Sequence, residues 1–350
     1  SVSIAVFLSA VGVIFSELIV KAMGVDGNML YFATIYLRLT FLDLPLTFYF
    51  FIFNSIMNSQ GNSVVPTILS CTSAVINAFL DPLLIFHFNM GVGGAAIATI
   101  IAKALLSLAG IIYLFKGKTA IHPDFKNFRF DKEIIDNSLK IAIPSAVGQS
   151  GSAIGFIFLN IFIVSYGTST MAAYGMVNRI TALIMQPAMG IGTAIISIVG
   201  QNFGAKNTKR AIDSFKKSIF LTSVIGIIGC IFLIWQRVGI INFFMQSKDD
   251  MEVINQGITY LVYISFSMPL MGIFGSFQGL FQGSGQTKYS MSMEIGRLWF
   301  VRLPMILFFK HFTPVGSEGI WFAMSFSNLI ICIYGYIIYK KGSWMQNIAI

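Results

Sequence analysis

The sequence predicts an all-α integral membrane protein built as two pseudo-symmetric lobes of six helices, four of them present in the first half and six in the second. Three observations carry that prediction. Of the 350 residues 56% are hydrophobic and 11% charged, against roughly 45–50% and about 25% in soluble domains. Apolar runs of about 20 residues, long enough to cross roughly 30 Å of hydrocarbon as a helix, recur along the whole chain. One stretch also repeats itself 224 residues later.

The runs fall at about residues 1–23, 29–58, 66–87, 93–117, 138–166, 170–200, 211–235, 256–282, 288–310 and 317–339. In lipid every peptide group must find a partner within a helix or a closed barrel. Barrel strands would alternate over about 10 residues, and these runs do not, so each is predicted to be a helix.

The net charge of +9 invites a nucleic-acid reading, but its distribution argues against one. Fourteen Lys and Arg, concentrated at 116–140, 206–217 and 340–341, fall on one face, against Lys21, Arg237, Lys248 and Lys310 on the other. This positive-inside bias predicts a multi-pass protein of the cell membrane with both ends of the chain cytoplasmic. The expected surroundings are the lipid bilayer, without nucleic acid and as a monomer.

Cys71, Cys230 and Cys332 lie singly in separate spans and read as small buried hydrophobes. His87, His122 and His311 are scattered, and no HExxH, GxSxG or Walker loop accompanies them. Neither metal nor nucleophilic catalysis has a visible constellation, so no enzyme and no cofactor beyond a coupling ion are expected.

The repeat aligns Tyr36 with Tyr260, Pro45 with Pro269 and Gly61 with Gly285, among seven identities in 26 positions. Farther on, Pro82 and the Val92-Gly93 step correspond to Pro304 and Val315-Gly316. The predicted organisation is an amino lobe at 1–117, a polar cytoplasmic linker at 118–137 and a carboxy lobe at 138–350. Equal copies would need two further helices before Ser1. Parallel copies related by an axis along the membrane normal suit a transporter whose lobes rock about a central site.

Ionisable groups at membrane depth are rare and are functional candidates by default. Asn77 and Asp81, four apart, share one helical face. Thr99 lies at a similar depth on the next, antiparallel helix after a short GVGG turn. These oxygens suit Na⁺, and the carboxylate could hold H⁺ instead. Asp81 could otherwise cap or kink its helix beside Pro82. Lys103, one turn beyond Thr99, can pair either with Asp81 or with Asp43 in the span 29–58. Glu17 with Lys21 and Glu294 with Arg297 have the spacing of structural helical pairs. No acid occurs where the second copy aligns with Asp81, since Leu303 stands there, which places coupling chemistry in the amino lobe.

Three segments carry a family likeness: NAFLDPLLIFHFNMGVGGAAIAT at 77–99, YGMVNRITALIMQPAMGIGTAIISIVGQNFGAKNTKRAI at 174–212 and GLFQGSGQTK at 279–288. In their order and spacing the chain resembles the multidrug and toxic compound extrusion (MATE) transporters, of the DinF-like branch. The resemblance spans nearly the whole chain, from the third of twelve helices onward. It implies a cation-coupled antiporter for small amphipathic, often cationic, organic substrates. It also implies that Asn77, Asp81 and Thr99 line an amino-lobe cation site, H⁺ or Na⁺, with Tyr36 and Asn54 lining the substrate pocket. The family's first helix supplies a further Asp that this chain does not contain. A lipid-linked oligosaccharide flippase of the same wider fold is the alternative, kept open by the mid-span cations Arg38, Lys103 and Arg302.

Overall fold

The computed structural model describes residues 2–116, 131–245 and 250–345. Two compact units divide the chain, Ser1–Arg129 and Phe130–Ile350. Among the described residues the structure is helical, with no strand.

The first unit holds four spans: α1 (Val2–Ala22), α2 (Gly27–Ser59), α3 (Val64–His87) and α4 (Gly91–Lys116). α2 is interrupted at Asp43, because Pro45 has no N–H to donate back to the carbonyl of Phe41. α3 runs as an α-helix to Pro82 and loosens into a π turn over Leu83–His87, again where a proline removes a donor. α4 packs on both α2 and α3, and α1 lies along α2. The small core here is Phe53, Met57 and Leu114.

The second unit holds six: α5 (Lys132–Val164), α6 (Thr168–Gly204), α7 (Thr208–Phe244), α8 (Met251–Gly283), a segmented α9 and α10 (Glu318–Lys341). α9 comprises Thr287–Ile295, a π stretch Gly296–Arg302 and Leu303–Phe312. α8 is the hub, packed by α6, α7 and α10, while α5 lies along α9. Its core includes Tyr174, Tyr260 and Trp321, with Tyr260 stacked between the other two rings.

Nine helices among the described residues are long and apolar enough to cross a membrane, and the segmented α9 makes the tenth span expected from the sequence. Their outer faces carry Phe79 at 75% exposure, Trp235 at 76% and Phe300 at 78%. A continuous apolar surface of this kind cannot face water, and the chain is a multi-pass membrane protein. The expected linker falls largely on residues 117–130, outside the described residues. The chain is already helical from Lys132, with the Asp131 carboxylate accepting from the N–H groups of Glu133 and Ile134.

Backbone geometry bears on the repeat. Gly61 and Gly285, aligned in sequence, follow the ends of α2 and α8 with φ of +79° and +75°, a region closed to most side chains. The expected helical pair Glu17–Lys21 forms at 2.8 Å. The expected pair Glu294–Arg297 does not: it is absent from the ion pairs found within 4.0 Å. The helix passes into its π stretch between the two residues, so the α-helical spacing that would join them is lost.

Candidate functional site

The candidate cation site lies inside the first unit, where α4 crosses α3. Gly94 permits the crossing: a Cβ there would stand 2.9 Å from the carbonyl carbon and oxygen of Leu84 in the π turn. The close approach sets Thr99 opposite Asn77. The Asn77 Nδ2 donates to Asp81 Oδ1 at 3.3 Å and to Thr99 Oγ1 at 3.4 Å, and the Thr99 hydroxyl donates to the Ala95 carbonyl at 3.0 Å. All three side chains are half-buried. The three residues named from the sequence therefore meet, with the amide nitrogen standing between two oxygens where a cation would sit.

Lys103 turns the other way. Its ammonium pairs with Asp43 Oδ2 and donates to Thr47 Oγ1 at 3.0 Å, while the Thr47 hydroxyl reaches the same carboxylate oxygen at 3.0 Å. Of the two partners open to Lys103, the structure selects Asp43. The break of α2 at Asp43 exposes that carboxylate to α4. Asp43 is only 5% exposed, and its Oδ1 has no partner among the described residues.

Within the helices of the first unit, Glu17 is thus matched by Lys21 and Arg38, and Asp43 by Lys103. Asp81 is the acid inside this unit's helices left with no basic group within 4.0 Å among the described residues, and Asp26, at the cap that precedes α2, also has none. Tyr36 and Asn54 do not join it. The Tyr36 side chain is exposed, and Asn54 Oδ1 accepts from Asn58 Nδ2 at 2.9 Å.

Asp81, Asn77 and Thr99 can present three oxygens to Na⁺ if the Asn77 amide turns its carbonyl inward; amide orientation follows the hydrogen-bond network. Hard cations such as Ca²⁺ collect about six or more oxygens, so water would have to complete such a shell. A proton needs less, since a protonated Asp81 could donate to the turned carbonyl.

In the second unit, Arg302 is 4% exposed and donates to Ser327 Oγ at 3.0 Å, the Met324 carbonyl at 3.2 Å and Asn328 Oδ1 at 3.3 Å. It braces α9 against α10. This unit also contains a cavity that the sequence did not reveal, about 400 Å³ in volume and bounded by α5, α6, α8 and α9, with Glu294 and Arg297 in its wall.

The sequence profile of the family described as MatE matches residues 1–83 and 144–308. The chain belongs to the MatE family. Asn77 and Asp81 fall within the matched residues of this MATE protein, whereas Thr99 and Lys103 fall in the gap between them. Among curated relatives, the probable multidrug resistance protein YoeA of Bacillus subtilis is 26% identical over 347 residues, covering 96% of this chain and 74% of that protein. The multidrug export protein MepA of Staphylococcus saprophyticus is 28% identical over 284 residues, covering 80% of this chain and 61% of its own length. A MATE crystal structure in complex with MaL6 superposes with a TM-score of 0.92 at 22% identity, over 97% of this chain and 76% of that one. A transporter of the MOP superfamily from Pyrococcus furiosus gives 0.93 at 22% identity, over 99% and 77%. At that identity the structural likeness speaks for the fold.

Proposed function

We propose that this MATE protein exports small amphipathic, often cationic, organic compounds in exchange for an inward-moving cation, H⁺ or Na⁺, bound at Asp81. The observation that carries the reading is the lone acid: Asp81 keeps an amide and a hydroxyl beside it but no basic partner, while the other helical acids of its unit are matched. An uncompensated carboxylate at membrane depth is costly unless something positive occupies it. The relatives named for multidrug resistance and export support the choice of substrate class.

In the proposed cycle the Asn77 amide stands in for the cation when the site is empty. Cation or proton entry turns the amide, its carbonyl then faces the newcomer, and the contact between α3 and α4 changes from donor-centred to cation-centred. Such a change moves transport only if the two states of the lobes bind the cation with different affinity. The lobes are assigned as residues 1–117 and 138–350 with a cytoplasmic linker at 118–137, and both ends of the chain are placed on the cytoplasmic side. Tyr36 and Asn54 are assigned to the substrate path. No enzymatic step and no cofactor beyond the coupling ion enter the cycle, and a single chain suffices for it. The flippase reading loses ground, because two of its three cations, Lys103 and Arg302, are already engaged inside their own units.

The test is export of a fluorescent organic cation from liposomes containing the chain, with Na⁺ and H⁺ gradients imposed separately. One gradient should accelerate export in the wild type, and Asp81→Asn should abolish that acceleration. Gradient-driven export that persists in Asp81→Asn removes this residue from the mechanism.

A further inference from the structure

From the cavity of the second unit we infer a binding site for organic zwitterions, compounds carrying a cationic and an anionic group on one amphipathic frame. The site deepens the transport reading by naming a substrate class, and it rests on that reading only for the fate of the bound compound.

Two opposite charges share a wall of this cavity without meeting. Glu294 and Arg297 both line the cavity. Their i,i+3 spacing would bring them together on an α-helix. The π stretch that starts at Gly296 opens the turn between them, and no Arg297 nitrogen comes within 4.0 Å of a Glu294 oxygen.

Each charge is held apart by its own surroundings. The Arg297 guanidinium carbon lies 4.3 Å from the centroid of the Phe274 ring, a cation–π contact across to α8. Its Nε is buried and has no hydrogen-bond partner among the described residues. The Glu294 carboxylate lies along α5 at Gly148, where a Cβ would come within 3.4 Å of Oε2. A guanidinium with an unsatisfied donor and a carboxylate without an ion-pair partner are both costly in a low dielectric. A ligand that supplies both missing partners removes both deficits at once.

The rest of the wall fits the remainder of such a molecule. Met185, Met189 and Met271 line the same space, flexible and polarizable side chains that adapt to varied apolar frames. A plain cation would gain Glu294 but meet the field of Arg297, and a plain anion would meet the reverse. Only a compound with both charges satisfies the pair. The placement is also particular to this copy, because the residues aligned with Glu294 and Arg297 in the first half are Thr72 and Val75.

The experiment is equilibrium binding, without any gradient, of a zwitterionic carboxyrhodamine and of its methyl ester to the purified full chain in detergent, read by fluorescence anisotropy. The two probes differ in the anionic group alone. Wild type should bind the zwitterion about tenfold more tightly than the ester, the value of one charge-assisted contact. Arg297→Gln should bring that ratio close to one, weakening the zwitterion while the ester, freed from the field of Arg297, binds at least as tightly as before, and Glu294→Gln should weaken both probes. A wild-type ratio near one, or a ratio undiminished in Arg297→Gln, overturns the proposal. If Arg297→Gln does not fold, Arg297→Lys reads the same contact, since a point charge in place of the planar fork should lower the preference several-fold and an unchanged preference overturns it. Because no gradient is present, this result stands or falls separately from the exchange at Asp81.

Discussion

Exchanging the charged pair of the first unit for its neutral counterpart in the second tests how the two copies are built. The repeat aligns Asp43 with Ser267, and Lys103 and Asn328 stand on the corresponding helices α4 and α10 that follow the aligned Val-Gly steps. In the first unit these positions form an ion pair between α2 and α4. In the second they form a hydrogen bond between α8 and α10, Asn328 Nδ2 donating to Ser267 Oγ at 3.3 Å. Removing one member of a fully buried ion pair costs about 3–5 kcal/mol, because the survivor is left uncompensated. Here the Asp43 side chain is 7% exposed but that of Lys103 is 36% exposed, and partial solvation of the lysine screens the pair. Lys103→Asn should therefore destabilise by about 2–3 kcal/mol, chiefly through the stranded carboxylate. Asp43→Ser should cost less, about 1–2 kcal/mol, since the freed ammonium can reach polar surroundings.

The double variant Asp43→Ser with Lys103→Asn installs the neutral contact and strands no charge. Its stability should return to within about 1 kcal/mol of wild type, as interhelical hydrogen bonds in membranes contribute on that scale. The assay is reversible unfolding of all four proteins in detergent, analysed as a double-mutant cycle, which isolates the coupling between the two sites. A double variant whose loss equals the sum of the single losses would show no coupling and would refute the inference that the pair is one packing contact written in two chemistries.

Three further substitutions probe other joints. Gly94→Val forces a side chain against the Leu84 carbonyl and should separate Thr99 from Asn77, so gradient-driven export should fall at least tenfold while the chain remains folded; unchanged export would detach the α3–α4 crossing from the coupling step. A Cβ at Gly279 would stand 2.5 Å from the Gly192 carbonyl oxygen, so Gly279→Ala should push α6 from α8 and lower stability by about 1–3 kcal/mol in thermal unfolding. The Tyr260 hydroxyl donates to Asn178 Oδ1 at 3.1 Å, and Tyr260→Phe should destabilise by about 1–2 kcal/mol by leaving that half-buried acceptor unmet.

Ten spans were legible because hydrocarbon thickness imposes a run length that composition records directly. Their ends were less so: the run ending near 235 continues as helix to Phe244, past Gln236 and Arg237, since hydropathy senses the lipid boundary and not the backbone. Asn77 and Asp81 were legible from a four-residue spacing, and Thr99 from depth on an antiparallel neighbour. The choice of Lys103 between two acids was not, because it depends on the break of α2 at Asp43. The separation of Glu294 from Arg297 was hidden for a related reason: the spacing rule assumes 3.6 residues per turn, and nothing in the local sequence marks where the register widens ahead of Pro304.

Comparing the copies then separates what the fold demands from what it merely permits. The contact between the helices at Asp43–Lys103 and Ser267–Asn328 occurs in both units, so packing requires something polar there and tolerates either chemistry. Asp81 and Asn77 have Leu303 and Trp299 at the aligned positions, while Glu294 and Arg297 have Thr72 and Val75. Each unit therefore folds its corresponding helix without the charges that the other carries. A charge that one copy dispenses with is not needed to build the helix, and a charge left unpaired at membrane depth is a liability to it. Asp81 in one unit and the divided Glu294 and Arg297 in the other meet both conditions. That makes them the places where, on the proposed readings, stability has been given up for binding, a cation in the first case and a doubly charged organic molecule in the second.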